Sequence, residues 1–293
     1  IALTLVTAHA LAHTDVVGAV LARLGSLPRR AATAYALVAL VAGVASLIAW
    51  SLGLVVGAIM ARQVAVRASA RGLRLHYPLL VASAYAGFVV WHMGYSSSAA
   101  LSVATPGHIL EQQIRGIIPV SQTIFATWNI ATALVTLELV ALVCPLMRPK
   151  DEEVIPLDVG SAALNPSEPE SATPAFTPAE RIDNARILSV ALGFALACYL
   201  VYGFLSTGLN LTLNVVNWSF LCLGLLLARS PIHYVKLVAG ASTTVAQILL
   251  QYPFYAGIMG VMVSTGLVSV IAGWFTACLL YTSPSPRDGL LSR

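Results

Sequence analysis

The chain has 293 residues, of which 58% are hydrophobic and only 10% charged; soluble domains carry about 25% charged residues, so an ordinary soluble domain is excluded. Its mean hydropathy is +0.84. The formal charge of +4 does not point to nucleic acid, because the basic residues lie in short loops between apolar runs and form no stripe. Cys144, Cys198, Cys222 and Cys278 fall singly in or beside apolar segments without metal-ligand spacing, so they read as packing residues and imply neither a metal nor a cofactor.

The chain opens at Ile1 inside an apolar stretch, with no signal peptide to read, and an N-terminal part is expected to be absent. His9 lies in this first helix, and Asp15, after Thr14, is expected to cap a helix starting at Val16. Two uncharged runs of about 31 residues follow, Ala31–Ala61 and Tyr77–Gly107. A straight helix of that length reaches roughly 46 Å against a hydrocarbon core of about 30 Å, so each run must bend, unwind or turn back. Each carries a polar or glycine-rich break, Trp50-Ser51-Leu52-Gly53 in the first and Trp91-His92-Met93-Gly94-Tyr95-Ser96-Ser97-Ser98 in the second. Arg23, Arg29 and Arg30 precede the first run and Arg62, Arg67, Arg71 and Arg74 follow it, so both ends read cytoplasmic. A re-entrant hairpin turning near Trp50–Gly53 fits; two crossings would each fall below the minimum of roughly 17 residues.

Tyr77–Gly107 then runs outward, residues 108–122 form an outer loop, and Thr123–Met147 returns to Arg148 and Lys150. Residues 148–186 are rich in acids and in proline (Pro149, Pro156, Pro166, Pro169, Pro174, Pro178), a composition that buries no core and reads as a cytoplasmic linker. Ile187–Ser206 goes out, Leu213–Ala228 comes back to Arg229 and Lys236, and Leu237–Ala277 is a further apolar stretch interrupted at Gln251-Tyr252-Pro253. Residues 278–293 resemble a translated sequencing adapter and are set aside. The expected organisation is a first transmembrane half at 1–147, a linker at 148–186 and the start of a second half at 187–277. The fold class is all-α, a polytopic helical membrane protein with a re-entrant hairpin and discontinuous helices.

Irregular backbone inside a bilayer is where secondary transporters hold substrates and coupling ions, using half-helix ends and freed backbone groups. Trp91, His92, Gly94, Ser96, Ser97 and Ser98 lie about 15 residues into their run, near mid-membrane at 1.5 Å per residue. Serine hydroxyls and freed N–H groups bind a carboxylate without a buried lysine; equally, the serines cap broken helix bonds in a structural kink. His92 is an anion ligand, a proton relay or a hydrogen-bonded helix residue. Trp50, Ser51 and Gly53 form the hairpin tip, with Gly53 and Gly57 allowing close approach. Thr105 lies in the turn signature Ala104-Thr105-Pro106-Gly107. Glu138 is mid-membrane, where a charged carboxylate costs roughly 2.5–3.5 kcal/mol. It is a coupling-ion candidate, or a glutamate bonded to one neighbouring helix. Asn210, Thr212, Asn214 and Asn217 cluster before Trp218; Asn214 and Asn217 are further coupling-ion candidates, although an interfacial turn with a tryptophan anchor also explains them. Gln251 and Tyr252 offer amide and phenol donors.

These blocks resemble the bacterial short-chain fatty acid transporter family over nearly all of residues 5–277. The resemblance is carried by Trp50-Ser51-Leu52-Gly53-Leu54-Val55-Val56-Gly57-Ala58, Tyr77-Pro78-Leu79-Leu80 with Trp91-His92, Ala104-Thr105-Pro106-Gly107, Leu211-Thr212-Leu213-Asn214 with Asn217, and Gln251-Tyr252-Pro253-Phe254-Tyr255-Ala256-Gly257-Ile258. It implies an inverted-repeat secondary transporter of the bacterial inner membrane that imports acetoacetate, butyrate and similar monocarboxylates. It also implies alternating access and symport with H⁺ or Na⁺, and a second broken helix beyond Ala277. Met93, Ser97 and Ala8 stand where the family pattern leads us to expect glycine. Whether the protein forms a homodimer is left open. Three alternatives are weighed: another anion such as a C4-dicarboxylate, an intramembrane hydrolase using Ser96–Ser98 with His92, and a passive channel. No arginine lies at mid-depth, which disfavours a dianion, and no GxSxG elbow or buried acid accompanies the serines; the chain is read as no enzyme.

Overall fold

The computed structural model describes residues 2–107, 111, 116–157, 177–208 and 212–282. All regular structure in them is helical. Four helices are long and apolar enough to cross a membrane, or up to six if each of two bent pairs counts as one span. This is a polytopic, all-α membrane architecture. The chain divides into two compact units, 1–242 and 243–293.

The first unit begins with α1 (Ala2–Ala12) and α2 (Asp15–Gly25), bent by 67° at the junction. Asp15 is the first residue of α2 and does not cap it: the Thr14 hydroxyl donates back to the Leu11 carbonyl, and the Asp15 carboxylate takes two bonds from the Arg229 guanidinium, one of 2.9 Å. The attraction to a distant cation has replaced the local cap. Both side chains are largely exposed, and exposed pairs contribute about 0–1 kcal/mol. Asp15→Ala is therefore expected to lower the melting temperature in detergent by no more than about 2–4 °C; a larger drop in a thermal-shift assay would show that this pair clamps the first helices in place.

The centre of the unit is a hairpin of α3 (Ala31–Ile48) and α4 (Trp50–Ser69). Its arms run antiparallel: a Cβ placed on Gly53 would lie 2.8 Å from Ser46 Cα, and one on Gly57 would lie 3.2 Å from the Ala42 Cβ. Small residues facing each other let the backbones approach, which is how helices associate when lipid gives no hydrophobic drive. Both arms are longer than the apolar run suggested. α4 continues through Arg62 and Arg67 to Ser69, because arginine is a good helix former and hydropathy does not mark the helix end. The arms are 18 and 20 residues, about 27 and 30 Å at 1.5 Å per residue, so each matches the hydrocarbon core instead of falling short of it. The tip is formed by Ala49 alone, in extended geometry (φ −156°, ψ 139°), and Trp50 already belongs to α4.

α5 (Tyr77–Gly87) packs on both arms and passes into a 3-10 turn at Phe88–Met93. Side chains three apart eclipse in a 3-10 helix, and Tyr85, Phe88 and Trp91 form such a ladder with ring centroids 5.9 and 5.8 Å apart. After Gly94–Ser97 comes the short α6 (Ser98–Val103). α7 (Thr127–Leu146) lies against α3 through the buried stripe Asn129, Ala133, Leu137, Ala141 and Cys144. Beyond it, the backbone of Ile155 pairs with the start of α5: its carbonyl accepts from the Tyr77 N–H at 2.8 Å and its own N–H reaches His76 Nδ1 at 3.1 Å. The expected linker lies outside the described residues at 158–176. Its end forms α8 (Pro178–Asp183), where Thr177 and Glu180 make a reciprocal cap. Those bonds from Thr177 hold the Glu180 carboxyl below its usual range.

α9 (Arg186–Thr207) and α10 (Leu213–Leu227) form a second antiparallel pair, with Tyr199 on Trp218 at one end and the Cys222 thiol donating to the Gly193 carbonyl toward the other. α11 (Pro231–Gly240) completes the unit, and α1 packs on α10 and α11.

The second unit holds α12 (Ser242–Ser264) and α13 (Leu267–Thr282). The interruption expected at Gln251-Tyr252-Pro253 is not there, since Pro253 lies inside α12. Apolar membrane helices accommodate proline when neighbouring groups satisfy the freed carbonyl. The chain bends by 75° instead at the next junction, where Gly266 takes φ +70°. The segment set aside at 278–293 lies outside the described residues from 283 onward; residues 278–282 continue α13.

Candidate substrate site

A helix that ends inside a membrane leaves carbonyls at its C-terminus and N–H groups at the next N-terminus with no internal partner, and lipid supplies none. At the hairpin tip those orphans include the Leu47 carbonyl of α3 and the Trp50 N–H of α4. Both are satisfied by the other break. The Tyr95 N–H donates to the Leu47 carbonyl at 2.7 Å, and the Trp50 N–H donates to Ser96 Oγ at 2.9 Å. Gly94 is buried against Leu47 so closely that a Cβ there would lie 2.5 Å from Leu47 Cα. The two breaks read separately in the sequence are one interlocked structure.

Ser96 therefore caps α4 from a distant segment, and its own hydroxyl proton remains available for a further acceptor. Ser97, like Ser96, is 2% exposed. The Ser51 hydroxyl donates to the Thr4 carbonyl of α1 at 3.2 Å, bringing the first helix to the same end of α4. The N–H groups of Ser51 and Leu52 have no acceptor within α4, and both residues are buried. A buried helix N-terminus whose first N–H groups have no acceptor within the helix, with hydroxyls beside it, attracts an anion through oriented N–H groups and the positive end of the helix dipole.

The other expected residues divide clearly. Trp91 is half-buried and His92 is exposed, their rings tilted by 31° with centroids 3.6 Å apart; Ser98 is exposed one residue beyond the buried serines. Thr105 lies just past the end of α6, and its hydroxyl donates back to the Leu101 carbonyl of that helix at 2.8 Å. Glu138 faces outward from α7, beside Leu137 of the buried stripe, and nothing among the described residues bonds to it. Asn214 is exposed and Asn217 buried; Asn210 lies outside the described residues. Gln251 and Tyr252 belong to the second unit, where they are exposed. His9 stacks on His13 at 4.1 Å and meets Gly240 of α11. Two open recesses of about 370 and 390 Å³, one at Tyr199–Val215 and one at Leu27–Leu37, include no residue of either break.

Two features escaped the sequence reading. Asn129, buried at the start of α7, donates from its amide to the Met93 carbonyl at 2.9 Å and to the Ile124 carbonyl at 2.8 Å. An asparagine in the first turn after Trp128 reads as an ordinary interfacial residue, and no local signal pairs it with Met93. Second, Thr4 Oγ1, His9 Nδ1, Asn217 Oδ1 and Tyr234 OH are buried without a partner among the described residues. All four lie on α1, α10 and α11, which pack on one another.

The sequence profile of the short chain fatty acid transporter family matches residues 1–282. The chain belongs to that family. Two curated relatives carry the provisional name short-chain fatty acid transporter. The one from Escherichia coli (strain K12) is 37% identical over 94% of this chain and 61% of its own length. The one from Haemophilus influenzae (strain ATCC 51907 / DSM 11121 / KW20 / Rd) is 35% identical over 94% of this chain and 62% of its own. This family member thus spans about three-fifths of the length of the curated relatives it matches. No solved structure matches it at a significant level. The family is one of membrane transport proteins and not of enzymes. His92 lies outside the buried pair Ser96 and Ser97, and Ser96 is engaged as a helix cap.

Proposed function

We propose that the whole protein carries short-chain monocarboxylates, such as butyrate and acetoacetate, across the bacterial inner membrane by alternating access. The observation that carries this reading is the closure of the α4 N-terminus by the second break, Trp50 N–H on Ser96 Oγ. There the substrate carboxylate meets the Ser51 and Leu52 N–H groups and the hydroxyls of Ser96–Ser98, with Trp50 and Trp91 beside the acyl chain, while Gly53 and Gly94 let Ser46 and Leu47 close tightly on the tip. No lysine or arginine occurs in either break, which suits one carboxylate better than the two of a C4-dicarboxylate. If Na⁺ is the coupling ion, the buried carbonyl oxygen of Asn217, a spare acceptor, is its candidate ligand. The exposed Asn214 lacks that burial, and Glu138 remains the candidate for a proton.

Uptake by the complete protein tests the reading. Ser96→Ala removes the acceptor of a buried N–H, which costs about 1–3 kcal/mol, and is expected to raise the apparent KM for butyrate roughly tenfold or to abolish uptake. Ser98→Ala, at an exposed hydroxyl, is expected to raise it less. Unchanged uptake in both variants would move the site elsewhere, and preference for succinate over butyrate would favour the dicarboxylate.

A further inference from the structure

Asn129 joins two consecutive membrane segments at the point where the first of them breaks. Met93 is the last residue of the 3-10 turn, and the chain leaves helical geometry at Gly94 (φ −93°, ψ −178°). Ile124 lies in the approach to α7, three residues before its start. Both carbonyls accept from the one amide nitrogen, at 2.9 and 2.8 Å, and Asn129 is 7% exposed. With two carbonyl partners, the amide nitrogen must face them, since the amide oxygen would meet only acceptors. An amide is the only neutral side-chain group with two donors on one nitrogen, and it brings no charge into the membrane. One residue past Met93, Gly94 seats on Leu47, and three residues past it Ser96 reaches Trp50.

We infer that Asn129 is a positioning residue for the Gly94–Ser97 segment: it holds the Met93 carbonyl against α7 and so keeps the buried serines docked on the hairpin tip, without touching substrate itself. The clamp can be tested without substrate; its effect on uptake rests on the function proposed above.

The test uses the complete protein in membrane vesicles, with every cysteine except Cys144 replaced by serine and Ser97→Cys introduced. Native Cys144, buried near the far end of the same helix, is kept as the internal control. N-ethylmaleimide should label the thiol at position 97 slowly. Adding Asn129→Leu should speed that labelling at least tenfold while Cys144 stays slow, and Asn129→Gln, which keeps both donors, should restore much of the protection. No acceleration at position 97, or equal acceleration of both thiols, would overturn the clamp, the latter by showing a merely structural role. Butyrate uptake supplies the second readout: Asn129→Leu should raise KM more than it lowers the maximal rate. Altered labelling with unchanged uptake would keep the clamp and overturn the assignment of substrate to this segment.

Discussion

Gly94→Ala is expected to remove most butyrate uptake, by one to two orders of magnitude, in protein that still accumulates in the membrane. The backbone at Gly94 (φ −93°) is open to any residue, so the penalty arises from contact alone. An added Cβ would meet the Leu47 carbonyl oxygen and lie 2.5 Å from Leu47 Cα and 2.7 Å from its carbonyl carbon. These are backbone atoms in the last turn of α3, and no rotamer change relieves them. Forcing a methyl group into such a contact costs about 1–3 kcal/mol. Shifting the segment to relieve it breaks the Tyr95–Leu47 and Trp50–Ser96 bonds, each worth about 1 kcal/mol in net terms. Labelled-butyrate uptake, normalised to immunodetected protein, measures this. Full uptake would mean that the second break does not dock on the tip in the working protein.

Gly87→Ala should act on the fold more than on the site. Its Cβ would press on the Ala39 carbonyl oxygen and lie 2.9 Å from the Gly43 nitrogen, in the middle of α3. The expected loss is about 1–3 kcal/mol of stability, read as a clear fall in melting temperature in detergent and a lower yield from membranes. Gly57→Ala is the matched control, because its Cβ would lie nearest the Cβ atoms of Ala42 and Ala84 at 3.2 and 3.3 Å, with the Ala84 carbonyl oxygen at an ordinary contact distance of 3.6 Å. A milder effect there separates backbone collision from ordinary tight packing. Equal melting temperatures for Gly87→Ala and the parent protein would rule out the close crossing of α3 and α5.

The positions of Trp50 and of Gly94 with its serines were legible because polar and glycine-rich clusters inside uncharged runs conflict with a straight membrane helix. Their meeting was not. It depends on two hydrogen bonds between segments far apart in the chain, and one of them uses only backbone, which the side-chain pattern does not report. The tip residue Ala49 carries no turn signal at all; it is extended because two packed arms must reverse between Ile48 and Trp50. Pro253 shows the converse, a strong breaker signal inside a continuous helix, while the bend falls at the inconspicuous Thr265-Gly266. Asp15 was read locally as a cap, and only the tertiary fold brings Arg229 to it.

The bonds between the tip and the second break also constrain motion. Two elements that satisfy each other's orphaned backbone groups cannot slide apart in a bilayer without exposing those groups to hydrocarbon. In the transport cycle proposed above, the hairpin tip and the Gly94–Ser97 segment are expected to move together, with the hinge elsewhere. The surface where α1 meets α10 and α11 is of another kind: apolar packing of Ala10, Ala228 and Tyr234 surrounds buried polar atoms on Thr4, His9, Asn217 and Tyr234 that have no partner among the described residues.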